Sequence, residues 1–471
     1  MAEARVPAGD TTEFGALCRV KQYDWDQTID AYKNWRNKSG DPIKGALIEN
    51  KLKNIRKSWQ ELGCQESYGS IIKLTQWTGE PSEWALSAFD ASHTVVGDFT
   101  GDGRADVSVF TEGSDYWSSS LHRYDLYTAT RKIVPGPGGN GDFVGQKMTN
   151  PELQEFRQWA TNPGAKVFAG DFNGDKRADY LEIDPDHGTM SVAFALGGNT
   201  FQSPITQTNA FADLAGEATS KVVVGDFNGD GKDDLAAVGN TGWTGVKVAS
   251  SSGSGAFSVT TSGPVNQFMD WASDPAAKVV AGDFNGDHKD DLLLYGKKCW
   301  TQGPDSCAKV IPIASATATG FDAEQHPFVS GYDKAAASSA ANETADIVVG
   351  DYNADGNDDL VIFSSLKHPT QIDTFINDVY FIRLNGATEF GSQMVAGTRD
   401  QLLPKILFPG AVPLAGDFDR DGKDDIVVAG RFDNSTMPVM FYKGADQVPV
   451  FTDNLVASPT CAPPACGGVA Q

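Results

Sequence analysis

A chain of 471 residues with 62 acidic against 38 basic side chains carries a formal net charge of -24, which repels a nucleic-acid backbone or an anionic membrane surface and attracts multivalent cations. Its 40% hydrophobic content, with 50 glycines and 23 prolines, supports a packed core broken by many turns and argues against a disordered chain. No run of about eighteen apolar residues exists, so no membrane-spanning helix is expected.

Residues 1–67 form a first segment in which charge is nearly balanced, with eleven Lys/Arg against ten Asp/Glu, so the acid lies downstream. The start MAEARVPAGD lacks a basic and apolar leader, which fits a mature form of a secreted protein and equally a cytoplasmic origin, and the cysteines below favour the secreted reading. Within it, Ile48, Leu52, Ile55, Trp59 and Leu62 recur at steps of three and four, and Asp41-Pro42 follows Gly40 as a helix start, predicting a helical hairpin over 25–62. Its apolar face either packs on its own domain or docks a partner subunit. The six cysteines fall into Cys18 with Cys64, Cys299 with Cys307, and Cys461 with Cys466. Even number and local grouping read as three disulfides in an oxidising compartment, with free buried thiols as the alternative.

Residues 68–458 carry a repeat. Six segments align without gaps: VVGDFTGDGRADVSVF, FAGDFNGDKRADYLEI, VVGDFNGDGKDDLAAV, VAGDFNGDHKDDLLLY, VVGDYNADGNDDLVIF and LAGDFDRDGKDDIVVA. Their acidic stretches recur every 55 to 73 residues, the length of a four-stranded propeller blade with generous loops. Each has an apolar stub, a turn of alternating acids and an apolar run, which places the acids on a tight connection between two strands.

Side-chain oxygens at loop positions 1, 3, 5 and 9, with the backbone carbonyl of position 7, converge on one point when such a loop curls, and six to eight hard oxygen ligands suit calcium. The expected ligands are Asp98, Thr100, Asp102, Arg104 and Asp106 in loop 1, and Asp171, Asn173, Asp175, Arg177 and Asp179 in loop 2. Loop 3 offers Asp226, Asn228, Asp230, Lys232 and Asp234, and loop 4 Asp283, Asn285, Asp287, Lys289 and Asp291. Loop 5 offers Asp351, Asn353, Asp355, Asn357 and Asp359, and loop 6 Asp417, Asp419, Asp421, Lys423 and Asp425. About six calcium ions are therefore expected. An EF-hand would close its shell with a glutamate at position 12, where five loops carry Val109, Ala237, Leu294, Ile362 and Val428 and only the second carries Glu182. Position 6 is Lys176 in loop 2 and His288 in loop 4 instead of glycine, so these two sites are expected to be the weaker ones.

These segments resemble FG-GAP/VCBS repeats, the blades of integrin α-chain heads and of certain fungal propeller lectins. The resemblance implies an all-β, calcium-containing β-propeller, and it does not imply one activity. SIIKLTQWTGEPSEWALSAF reads as a hairpin ahead of the first loop while the last loop has its own outer pair, which favours seven blades, the seventh degenerate and N-terminal, over six. Residues 459–471 form a Cys/Pro/Gly tail.

Three functions compete. The first is a secreted recognition module binding glycans, as the resembling lectins do in pockets between blades, or a protein surface. Trp84, Trp159 and Trp271 hold equivalent places before three loops and are candidates for stacking on a sugar, against the plainer reading that they fill core between blades. The second is a non-catalytic subunit of a larger secreted assembly, docked through the N-terminal helices. The third, weighed lower, is an enzyme on the propeller face: the six histidines are scattered and no nucleophile motif is present.

Overall fold

The structure, a computed structural model, is described for residues 91–114, 122–131, 143–148, 150–162, 164–296, 310–327, 345–367, 375–384, 390–394, 412–429, 439–442 and 451–454. The N-terminal hairpin, the segment assigned to a seventh blade, Trp84, all six cysteines and the tail lie outside these residues.

The described chain folds into six four-stranded antiparallel sheets in sequence order. Sheet 1 is β1 (Ala91–Gly97), β2 (Asp106–Ser114), β3 (His122–Arg131) and β4 (Phe143–Lys147). Sheet 2 is β5 (Lys166–Gly170), β6 (Asp179–Asp184), β7 (Thr189–Ala193) and β10 (Ile205–Thr208), with a small side hairpin β8 (Ala195–Gly197) and β9 (Thr200–Phe201). Sheet 3 is β11 (Lys221–Gly225), β12 (Asp234–Val238), β13 (Lys247–Ser251) and β14 (Phe257–Thr261); sheet 4 is β15 (Lys278–Gly282), β16 (Asp291–Tyr295), β17 (Val310–Thr317) and β18 (Gly320–Pro327). Sheet 5 is β19 (Asp346–Gly350), β20 (Asp359–Lys367), β21 (Phe375–Leu384) and β22 (Phe390–Met394); sheet 6 is β23 (Val412–Gly416), β24 (Asp425–Ala429), β25 (Val439–Tyr442) and β26 (Phe451–Asn454). Together they make an all-β, propeller-like repeat.

The register is the same in every sheet. Gly97 faces Asp106, Gly170 faces Asp179, Gly225 faces Asp234, Gly282 faces Asp291, Gly350 faces Asp359 and Gly416 faces Asp425. Each acidic loop therefore occupies positions 1 to 8 between the first and second strands. After its first aspartate the second strand opens on an unbroken apolar run in sheets 3 to 6, where both of its faces are covered, while Ser108 and Glu182 interrupt it in sheets 1 and 2. Leu181 and Ile183 pack against Leu235 and Ala237 of the next sheet, Ala236 and Val238 against Leu292 and Leu294, and Val361 and Phe363 against Ile426 and Val428. The aromatic residue at position 2 (Phe99, Phe172, Phe227, Phe284, Tyr352 or Phe418) is buried in every loop.

Consecutive loops are hydrogen-bonded through backbone. Ala178 N–H donates to Asp98 O, Asp233 N–H to Asp171 O, Asp290 N–H to Asp226 O, Asp358 N–H to Asp283 O and Asp424 N–H to Asp351 O. The same bond joins sheet 6 to sheet 1, from Ala105 N–H to Asp417 O at 2.8 Å.

Three short helices precede sheets 2, 3 and 4: α1 (Gln154–Trp159), α2 (Ala210–Gly216) and α3 (Asn266–Ala272). The sequence reading assigned no helix here, because six or seven residues are too few for a helical period to stand out. A basic side chain at the start of the preceding sheet's first strand reaches the chain at or just past each helix end. His93 Nδ1–H donates to Ala160 O, Lys166 Nζ to Ala215 O and Lys221 Nζ to Ala272 O, satisfying carbonyls that the helix leaves open.

The glycine that ends each first strand is a close-approach glycine. A Cβ on Gly170 would lie 2.7 Å from Asp233 Oδ2 and 2.9 Å from Val224 Cγ1. Gly170→Ala is expected to destabilise the protein by about 1–3 kcal/mol through overpacking, whereas Gly263→Ala, where an added Cβ meets nothing within 4 Å, should stay within about 0.5 kcal/mol of the parent. Denaturant melts of the two variants side by side check this.

Candidate cation loops

The position 1 aspartate organises each loop by accepting from its own backbone. Asp98 Oδ1 accepts from Gly101 N–H at 2.7 Å and Asp102 N–H at 3.1 Å, and its Oδ2 accepts from Gly103 N–H at 2.7 Å. Asp171, Asp226, Asp283 and Asp417 repeat the pattern, and Asp351 accepts from Asp355 and Gly356. This curl brings position 1 over position 9, the first residue of the second strand.

The position 9 aspartates, Asp106, Asp179, Asp234, Asp291, Asp359 and Asp425, are all 0% exposed. One oxygen is tied to the end of the third strand: Asp179 accepts from Ala195 N–H, Asp234 from Ser251, Asp291 from Ala316 and Asp425 from Tyr442. Burial pushes the Asp179 carboxyl up to about 8, helped by the charges of Asp175 and Asp171, and burial pushes Asp234 and Asp291 up to about 7. A carboxylate held in such a place is stabilised by a cation.

Positions 3 and 5 differ between loops. Asn228, Asn285 and Asn353 turn their amide N–H toward the position 9 carboxylate at 2.7–2.9 Å, so the amide must rotate before its oxygen can ligate an ion. The position 5 acid faces its own position 7 side chain in Asp102 with Arg104, Asp175 with Arg177, Asp230 with Lys232 and Asp287 with Lys289, and Asp355 accepts from Asn357. In loop 6, position 3 is an acid, and oxygens of Asp417, Asp419 and Asp425 lie within 4.8 Å of one another. Neighbouring oxygens about 3–5 Å apart fit a shell of radius about 2.3–2.6 Å, so this donor set suits one hard divalent cation such as calcium.

Two sets of residues escaped the sequence reading. At position 8, Asp233, Asp290, Asp358 and Asp424 accept from the backbone N–H of Asp171, Asp226, Asp283 and Asp351, each in the preceding loop, at 2.6–3.0 Å. The signal was present as the paired aspartates of loops 3 to 6, against alanine in loops 1 and 2. Position 4 is also left-handed, with Ala354 at φ 60° and Arg420 at φ 62°, alongside Lys176 at 67° and His288 at 64° in position 6. Four loops thus hold a non-glycine residue in a left-handed backbone, loops 5 and 6 at position 4 in addition to loops 2 and 4 at position 6.

Trp271 is 8% exposed within the apolar cluster between sheets 3 and 4, which leaves little ring face to solvent. Trp159 is half-buried and packs against the cluster between sheets 1 and 2. That second interface also holds a buried acid at the place where the other repeats are apolar. Glu182 is 1% exposed, and its Oε1 has no hydrogen-bond partner.

A family model of the FG-GAP-like repeat matches residues 171–237 and 226–294. The match is to the repeat and does not extend to an integrin head. No curated protein matches the chain. Among solved structures, a lectin of Agrocybe aegerita described as recognising non-reducing terminal N-acetylglucosamine is similar at 17% identity and a TM-score of 0.47, over 76% of this chain and 78% of that one. A mutant of AofleA from Arthrobotrys oligospora is similar at 10% identity and a TM-score of 0.39, over 78% and 89%. The arrangement of sheets rests on the hydrogen bonds above rather than on these likenesses.

Two outcomes follow from the geometry. Ala354→Gly should raise stability by about 1 kcal/mol by relieving a left-handed alanine, read as an upward shift of the melting midpoint. Burial, then the charge of Asp184, raises the Glu182 carboxyl from 4.5 to about 7, with a hydrogen bond from Ser191 offsetting part of the shift. A raised acid costs nothing below its unfolded value, and its cost grows with pH until the group is ionised above about 7. Glu182→Val should therefore stabilise by on the order of 2 kcal/mol at about pH 8 and far less at about pH 5, measured by denaturant melts at both.

Proposed function

We propose that the protein is a secreted, calcium-stabilised recognition module in which a six-bladed ring presents a surface to glycans or to another protein. The observation that carries the calcium part is the cradle of Asp417, Asp419 and Asp425, a carboxylate set that repels itself without a cation. In this reading the other loops bind by the same plan once the position 3 amide turns its oxygen inward. The residues that hold the ions are the loop acids named from the sequence. The ions would supply charge compensation and rigidity, not catalysis.

We read the ring as six-bladed, where the hairpin count favoured seven; the extra hairpin lies outside the described residues. What supports six is the bond from Ala105 N–H to Asp417 O, which repeats between the last sheet and the first the contact made by every other neighbouring pair. No helix among the described residues is long and apolar enough to cross a membrane. The glycan part follows from the resemblance to propeller lectins. With Trp271 enclosed, ligand contact falls to other residues of the loops and hairpins.

Elemental analysis after purification in calcium should return about six ions per chain, and a return of one or none removes the calcium reading. Glycan-array binding, with N-acetylglucosamine-terminated glycans among the probes, should be lost on chelation and restored by calcium. An array that stays dark at saturating calcium leaves the protein-surface form of the proposal, to be tested by co-purification.

A further inference from the structure

The six junctions between neighbouring sheets are not equally fastened. At four of them a position 8 carboxylate reaches back and accepts the first backbone N–H of the preceding loop: Asp233, Asp290, Asp358 and Asp424. Blade 1 lacks this latch on both sides, because position 8 is Ala105 where it meets sheet 6 and Ala178 where sheet 2 meets it. The junction of sheets 1 and 2 has substitutes. Tyr180 Oη meets Ser108 Oγ at 2.6 Å and Thr128 Oγ1 at 3.3 Å inside the core, and Gly198 N–H of the side hairpin donates to Thr100 O at 2.9 Å. At the junction of sheets 6 and 1 the backbone bond from Ala105 to Asp417 is joined by the close approach of Arg420 to Gly103.

Loop 6 stands at that junction and differs from its relatives in the same place. Loops 3, 4 and 5 pair their buried position 9 carboxylate with an asparagine amide at position 3. In loop 6 position 3 is Asp419, whose carboxylate cannot donate, and the Asp425 carboxylate accepts from Tyr442 N–H at 3.0 Å and Phe418 N–H at 3.3 Å. Asp419 adds a fourth carboxylate to the ligand positions of a loop whose position 4, Arg420, already sits at φ 62°. Asp417 is at once a member of that acid cluster and the residue whose carbonyl receives Ala105.

We propose that the divalent cation of Asp417, Asp419 and Asp425 is the fastener between the last blade and the first, in place of the carboxylate that Ala105 does not provide, and that it is the most tightly held ion of the ring. This rests on the calcium reading above. Affinity in such loops rises with the number of charged ligands, so the loop with the extra acid empties last. When it does, the junction of sheets 6 and 1 opens ahead of the others, and blade 1 is the part of the ring that calcium controls.

Hydrogen exchange of the whole protein, followed peptide by peptide as free calcium is lowered, tests the proposal. The segment 98–106 should stay protected until the last ion leaves and then exchange at least about tenfold faster, before peptides of sheets 3 and 4 change. Asp419→Asn should move that transition to at least about tenfold higher free calcium. Ala105→Asp installs the missing latch toward the Asp417 N–H and should leave the segment protected after all calcium is removed. Asn353→Asp, a reciprocal change in loop 5, should create a second tight site that titrates separately. A transition unmoved by Asp419→Asn, an Ala105→Asp protein that opens as the parent does, or sheets 3 and 4 opening first would overturn the fastener while leaving bound calcium intact. Absence of any calcium uptake by the parent would instead remove the reading on which it rests.

Discussion

The close approach of one loop to the next is the constraint on which the rest of the structure depends. Where a first strand ends, its glycine lies against position 8 of the following loop, near enough that a Cβ on Gly170, Gly282 or Gly416 would come within 2.8 Å of a neighbouring side-chain atom. That proximity allows a backbone hydrogen bond to pass from loop to loop. It also fixes how the second strands stack, since their alternate residues must then meet apolar side chains on both neighbours. Sheet packing and loop geometry are therefore one arrangement seen at two radii.

The same proximity concentrates negative charge. Position 8 and position 9 acids are carried into the interior by the strand they begin, and burial, with the neighbouring carboxylates, pushes Asp290, Asp358 and Asp424 up to about 7. Backbone N–H groups, asparagine amides and the position 7 cations of loops 1 to 4 relieve part of this. What remains is a demand for positive charge at fixed points, of the kind a divalent cation could meet at Asp417, Asp419 and Asp425. A catalytic reading would need acids not already engaged in this way.

Opposite chemistry fastens the two ends of sheets 2, 3 and 4, and a basic group also holds sheet 1. Acids tie the loops together at one end, while His93, Lys166 and Lys221 tie first strands to the chain around the helix ends at the other, with Lys278 reaching Ala345 in the same manner. Burial lowers the His93, Lys166 and Lys221 side chains below their ordinary values. Their partners are neutral carbonyls, so each is retained for its hydrogen bond as much as for its charge.

By itself the sequence determined the repeat, its register and its chemistry. Six copies of glycine, aspartate, aromatic and alternating acids fix a strand, a curled loop and a second strand, because local turn preferences and strand alternation act over a few residues. It did not show how the first and last described sheets relate, since a hairpin before Asp98 looks in one dimension like another blade, and only the hydrogen bond from Ala105 N–H to Asp417 O joins sheet 1 to sheet 6. Nor did it reveal what position 8 does: Asp233 and Asp234 are adjacent in sequence, yet one serves the neighbouring loop and the other its own. The tryptophans show the same limit, as a repeated aromatic residue is equally suited to stacking on a ligand and to filling a core. Partners that lie 60 or more residues apart leave no local signal, and which of them meet is decided by packing in three dimensions.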